Sequence, residues 1–278
     1  MRTVLAVLCL AVNLIASPAS AERVLLFGTY TADKPTETVR KYGPFLAFLS
    51  EKLSDELGEP IRIKMKIDKD YDAAIENLAI GAVDFARFGP ASYVTVKGMN
   101  PGVQIIAMES RKGQKRFNGV VAVHNDSTID SLSDLSGQSF AFGDELSTIG
   151  RYLAQSHLLD AGINSSELSS FQYLGRHDIV GEAVGAGKFT AGALKESTFE
   201  KLVGKGVPIK ALIKFDNVTK PWLASSTLSP EIAEHLSSIM LDDANYEAVK
   251  SVAKSGFLAG SDADYDFVRR AMAHSQAF

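Results

Sequence analysis

Apolar positions along this chain switch repeatedly between runs or alternations of period two and spacings of three and four, which predicts strands alternating with helices. Residues 24–30 read as a buried strand. Residues 36–57 read as a helix with Val39, Phe45, Leu46, Leu49 and Leu53 on one face and Gly58 closing it. Ile61, Ile63, Met65 and Ile67 alternate with Arg62, Lys64 and Lys66, as in a strand with one wet face. A helix over 70–80 and a short strand over 83–88 follow, and Gly89-Pro90 opens another helix, where the missing proline N–H had no partner to lose. Strands over 103–108 and 117–124 flank a polar, basic span, 109–116. Strands at 139–142, 171–174, 191–194 and 209–215 then alternate with helices from Ser147-Thr148 to Gly162, over 177–186 and over 197–203. The remainder from Pro230 is mainly helical and is expected to pack back on the first lobe. This order belongs to the α/β class. Extended crossings at 108–118 and 217–224 divide it into lobe 1 (22–112 and 221–278) and lobe 2 (113–220).

The N-terminus bears on compartment. Arg2 gives a positive start, residues 4–15 are almost wholly apolar, and Ser17 to Ala21 end in the small-x-small pattern of a cleavable leader, with cleavage expected after Ala21. An apolar run of about a dozen residues is short for a bilayer that needs about 20. The single cysteine, Cys9, would leave with that leader, so no disulfide, thiolate metal site or cysteine nucleophile is expected in the mature chain. The formal net charge of −4 moves to about −5 once Arg2 is removed, which does not suit nucleic acid. With 46% hydrophobic and 22% charged residues the composition is that of an ordinary globular protein. An acidic protein that binds an anion must do so locally, with dipoles, hydroxyls and a few cations.

One junction fits that requirement. In Phe142-Gly143-Asp144-Glu145-Leu146-Ser147-Thr148-Ile149-Gly150, two adjacent hydroxyls stand where a strand gives way to a helix. The first turn of a helix has unpaired N–H groups and the positive end of the macrodipole, so an oxyanion finds donors aimed at it. Ser and Thr also cap ordinary helices, which is the alternative reading of the same segment.

Taken together, Phe27-Gly28, Pro44-Phe45-Leu46, Asp70-Tyr71, Val83-Asp84, Phe88-Gly89-Pro90, Asp134-Leu135-Ser136-Gly137, Ser147-Thr148-Ile149-Gly150, His177 and Ala191-Gly192-Ala193 carry a resemblance. Over nearly all of the mature chain the sequence resembles the substrate-binding component of phosphate, phosphite and phosphonate ABC transporters. The resemblance implies a two-lobed periplasmic-binding-protein fold of type 2, each lobe a mixed sheet flanked by helices, with a ligand cleft between the lobes. It further implies a periplasmic protein, monomeric as is usual for that family, without a cofactor or metal and not embedded in the membrane. Its partners would be a small phosphorus oxyanion and an ABC permease.

Carried over by position, the resemblance implies ligand contacts from Ser147, Thr148, Ile149 and Gly150 of the loop, from His177, and from the aromatic residues Tyr71, Phe88 and Tyr30. Ile149 stands where a third hydroxyl is common, and Phe88 where a second tyrosine is common. Glu196 falls near an acid that holds the amine of aminoalkylphosphonates, whereas Thr219 and Lys220 fall where that branch has an Asp. A cation there repels an ammonium, which favours a small oxyanion over aminoethylphosphonate. Lys195, Arg87, Arg176 and Lys220 are candidate counter-charges. Two other uses stand beside transport: a sensor presenting its closed form to the periplasmic domain of a histidine kinase, and a hydrolase built from Ser147, His157, His177 and Asp178. The second lacks a Gly-x-Ser-x-Gly elbow.

Overall fold

The alternation of strands and helices resolves into two sheets in the computed structural model, which describes residues 21–30 and 35–278. Apart from Ala21, the leader, with Cys9, lies outside the described residues. The chain begins β1 (Arg23–Tyr30), α1 (Pro35–Leu57), β2 (Ile61–Asp68), α2 (Tyr71–Ala79), β3 (Phe85–Arg87), α3 (Pro90–Met99) and β4 (Gln104–Glu109). It continues with β5 (Arg116–His124), β6 (Ser139–Phe142), a π-helical turn (Thr148–Leu153) running into α4 (Ala154–Asp160), β7 (Ser170–Tyr173), α5 (His177–Gly185), β8 (Ala191–Lys195), α6 (Glu196–Val203) and β9 (Ile209–Val218). It ends with β10 (Pro221–Ala224), α7 (Pro230–Leu241), α8 (Tyr246–Val249), β11 (Phe257–Leu258) and α9 (Asp266–His274).

Six strands in the order β11-β4-β10-β3-β1-β2 form one sheet, and five in the order β7-β6-β8-β5-β9 form the other. Parallel neighbours need a crossover: α1 carries the chain from β1 to β2, and β6 is linked to its parallel partner β7 through the π turn and α4. Antiparallel β10 inserts between β3 and β4, and antiparallel β5 between β8 and β9. The chain leaves the first sheet after Glu109, enters the second at Arg116 and returns through Thr219 and Lys220. Thr219 N donates to Lys115 O (3.1 Å), so the two crossings are bonded to each other.

Both faces of each sheet are covered. Under α1, Phe27, Phe45 and Phe85 surround Trp222, which stacks on Phe27 at 5.0 Å. Val39, which the spacing places on that face of α1, is instead 54% exposed, and Tyr42 is buried there. On the second sheet Phe140, Phe142, Leu153 and Leu158 fill one side, and Val120, Val180, Val184 and Leu194 the other.

Three features differ from the sequence expectations. β9 runs on to Val218 because it stays paired with β5 as far as Arg116. The helix after Ser147 opens in π form, with Ser147 O accepting from Arg151 N (3.0 Å) and Tyr152 N (3.2 Å). The C-terminus does not stay on the first lobe: α9 packs on both α3 and the π turn, and the Phe278 ring meets Phe142 at 5.5 Å and Phe171 at 5.8 Å. Among the described residues no helix is long and apolar enough to cross a membrane.

Candidate functional site

Three helix starts face one another between the lobes. In the first lobe, β3 turns through Gly89 into α3, with Pro90 at its first position. Opposite it, Ser147 caps the π turn and its Oγ accepts from Gly150 N (3.0 Å). Beside this, Arg176 caps α5 and puts His177, 5% exposed, at the first helical position. Gly175 N donates to Gly143 O (3.1 Å), which ties the loop of His177 to the loop of Ser147.

The lobes touch directly at this point. Ala91 N, in the first turn of α3, donates to Thr148 Oγ1 across the interface (2.8 Å). Gly89 N donates to Tyr30 Oη (2.5 Å), which also lies 3.0 Å from Ser92 Oγ. Burial pushes the Tyr30 hydroxyl up to about 12, so it remains protonated. Tyr30 stacks on Tyr71 at 3.7 Å between ring centres. Further out, Lys201 of α6 pairs with Glu37 of α1, a second link between lobes.

What remains between the surfaces is a cavity of about 20 Å³, little more than the space of one water. Tyr30, Tyr71, Ser147, Thr148, Ile149, His177 and Lys220 of the sequence set line it together, joined by Gly89, Pro90, Phe117, Lys195 and Asn217. Enclosure lowers the pKa of Lys220 well below the usual lysine value, and the charges of Arg87 and Lys195 lower it further against the pull of Glu109. Its ammonium lies 5.9 Å from the centre of the Phe117 ring.

Three expected contacts are corrected. Phe88 is wholly buried behind Tyr30, their rings 5.4 Å apart, so it backs the wall and does not line the cavity. Gly150 turns inward: a Cβ on it would stand 2.7 Å from Gly143 Cα, and its N–H is used by Ser147. Glu196 faces away from the cavity into two ion pairs, with Arg111 (3.1 Å) and Lys214 (3.0 Å). Burial opposes its charge, but Lys214 and Arg111 hold its pKa below the usual range.

Of the four candidate counter-charges, Lys195 and Lys220 reach the cavity. Arg87 is held by Glu109 in a fork of 2.7 and 2.9 Å, which keeps that carboxyl at about 2 although burial works against it. Arg176 is held by Asp178 at 3.0 and 2.5 Å. His157 packs on Phe215 at 5.0 Å outside the cavity lining. Among the described residues no cluster of metal-ligating side chains occurs.

Asn217 and Phe117 escaped the sequence reading. They are register partners on β9 and β5, one on each crossing, and nothing in a linear sequence shows that pairing. The signal available was their position: both fall in the predicted crossings. A wider cavity of about 160 Å³ shares Lys195 and sets it, with Lys201 and Lys205, against Glu37, Asp178 and Glu182, so its lining mixes both signs of charge.

Comparison with known proteins bears on this geometry. Residues 27–265 match the family described as "ABC transporter, phosphonate, periplasmic substrate-binding protein". The chain is 26% identical to the phosphate-import protein PhnD of Mycolicibacterium smegmatis over 271 residues, covering 86% of this chain and 81% of that one. It is 29% identical over 157 residues, about half of each chain, to a probable ABC transporter phosphite-binding protein, PhnD1, of Prochlorococcus marinus. In fold it is similar to the structure of PhnD1 from Prochlorococcus marinus in complex with methylphosphonate, with a TM-score of 0.79 at 22% identity, covering 92% of this chain and 99% of that one. A binding-protein component of an ABC phosphonate transporter from Pseudomonas aeruginosa gives the same TM-score at 18% identity, covering 91% and 87%. The strand order, the two-lobed architecture and the match over 27–265 place the chain in one group: it belongs to the family of periplasmic substrate-binding proteins of phosphonate ABC transporters.

Proposed function

We propose that this protein captures a small phosphorus oxyanion (phosphate, phosphite or a short phosphonate) between its lobes and that its closed form delivers the ion to an ABC permease. One observation carries the reading: the starts of α3, the π turn and α5 converge with the hydroxyls of Ser147 and Thr148 and two lysines on one small space between the lobes. Helix starts and hydroxyls offer donors and positive potential, and no carboxylate is among the described residues lining the cavity. Lobe 1, 22–112 with 221–278, and lobe 2, 113–220, separate to admit the ion, since the space of about 20 Å³ now left between them is less than a tetrahedral anion needs. The ligand then joins Ser147, Thr148 and His177 on one side to Tyr71 and the start of α3 on the other, so binding selects the closed state. A leader removed after Ala21 would bring the monomer to the periplasm.

Aminoethylphosphonate fits poorly. The acid that would hold its amine, Glu196, is engaged by Arg111 and Lys214, and the other position brings Lys220. Calorimetric and thermal-shift titration with phosphate, phosphite, methylphosphonate, aminoethylphosphonate, arsenate and sulfate tests the reading. A binding phosphorus oxyanion at a hundred times its Kd stabilises the fold by about 2.7 kcal/mol, a rise of several degrees in Tm. No shift with any phosphorus oxyanion, or a preference for aminoethylphosphonate, would refute it.

A further inference from the structure

Three hydroxyl oxygens around the cavity already accept a hydrogen bond. Ser147 Oγ accepts from Gly150 N, Thr148 Oγ1 from Ala91 N and Tyr30 Oη from Gly89 N. Ser147 and Thr148 each still have an O–H proton to donate inward and one lone pair left. Lys195 and Lys220 add further donors.

Asn217 differs from these groups in having no side-chain partner among the described residues. It is 1% exposed, lines the cavity, and neither its Oδ1 nor its Nδ2 has a hydrogen-bond partner within the protein. A carboxamide buried in that state is costly, and its two donor protons and acceptor oxygen are left for a ligand in the adjoining cavity to satisfy. A proton-free anion satisfies the donors and sets its lone pairs against those of the acceptor. An anion that keeps one acidic P–O–H satisfies both.

Resting on the proposed capture of a phosphorus oxyanion, we infer that Asn217 reads the ligand's remaining acidic proton, so that the cleft accepts singly protonated phosphorus oxyanions and rejects proton-free anions of the same charge and size. Asn217 Oδ1 accepts the P–O–H while Nδ2 donates to a neighbouring P–O oxygen. Sulfate and alkylsulfonates are turned away by the missing proton, with shape and charge unchanged.

Two charge-matched pairs test this by titration calorimetry. Hydrogenphosphate is compared with sulfate above the second ionisation of phosphate, and methylphosphonate with methanesulfonate below the second ionisation of methylphosphonate. At least one phosphorus member binds at least about 100-fold tighter than its sulfur isostere. Asn217→Leu reduces that ratio to below about tenfold, mainly by weakening the phosphorus ligand, whereas Asn217→Asp, which keeps the acceptor, preserves it. Near-equal binding of both members of each pair to the native protein would overturn the assignment while leaving oxyanion capture intact, and so would an unchanged ratio in a folded Asn217→Leu variant. Failure of every phosphorus ligand to bind would overturn both.

Discussion

Lys220 enters the cleft beside Arg87 and Lys195, and its surroundings disfavour its charge. The sign of the consequence follows from linkage. Its folded-state pKa lies below the unfolded value, so between the two the unfolded chain holds a proton that the native one lacks, and unliganded stability rises with pH across that window. A bound anion favours the ammonium and raises its pKa again, so ligand binding in the same window takes up a proton and affinity falls as pH climbs. Titration in buffers of different ionisation enthalpy is expected to show this uptake, with a smaller uptake in Lys220→Met; identical uptake in the two proteins would contradict it. Ser147, Thr148 and His177 were legible in the sequence because their types and positions at helix starts carry the chemistry, and Lys220 because it is a cation on the return crossing. Asn217 was not, because its importance comes from burial and from a strand register that only the folded chain creates.

Among the elements, the π turn shows how closely the loop of Ser147 is drawn in. Gly150 and Gly143 approach until a Cβ on Gly150 would lie 2.7 Å from the Gly143 Cα and 3.0 Å from Gly143 N, backbone that cannot swing aside. Gly143 N also donates to Gly150 O (2.8 Å), which fastens the start of the loop to its end. Gly150→Ala is therefore expected to lower stability by about 1–3 kcal/mol in chemical denaturation, as overpacking does, and to weaken ligand binding by moving Ser147. A native-like melt with native affinity would show that the loop can give way. The strand-helix alternation could be read from hydrophobic period alone. The extra length of β9 and the π winding could not, since a partner strand decides the first and the crowding of two glycines accompanies the second.

For the whole molecule, closure sets attraction against repulsion. Ala91 to Thr148 and Lys201 to Glu37 draw the lobes together. Asp144, on the loop after β6, faces Asp70 and Asp72 at the start of α2; burial and then these like charges raise its pKa. Asp144→Asn keeps an oxygen for the Leu146 N–H that Asp144 Oδ1 now accepts (2.8 Å) and removes the repulsion, so it is expected to tighten oxyanion binding about two- to tenfold. Titration together with small-angle scattering of the unliganded protein checks this; weaker binding, or no shift toward the compact form, would count against it. The two-lobed plan was legible because polar, extended stretches interrupt the helical pattern twice. That α9 spans both lobes was not, because its amphipathic face does not say which surface it covers. The return crossing has a consequence of its own: in the proposed capture, Thr219 and Lys220 are a link about which the lobes would separate, and Lys220 would also face the ion. Fulcrum and fingertip are thus one piece of chain, and evolutionary drift toward a new cargo meets a double constraint there. Diversification should begin instead at Ile149 and Tyr71, which line the cavity and lie outside both crossings.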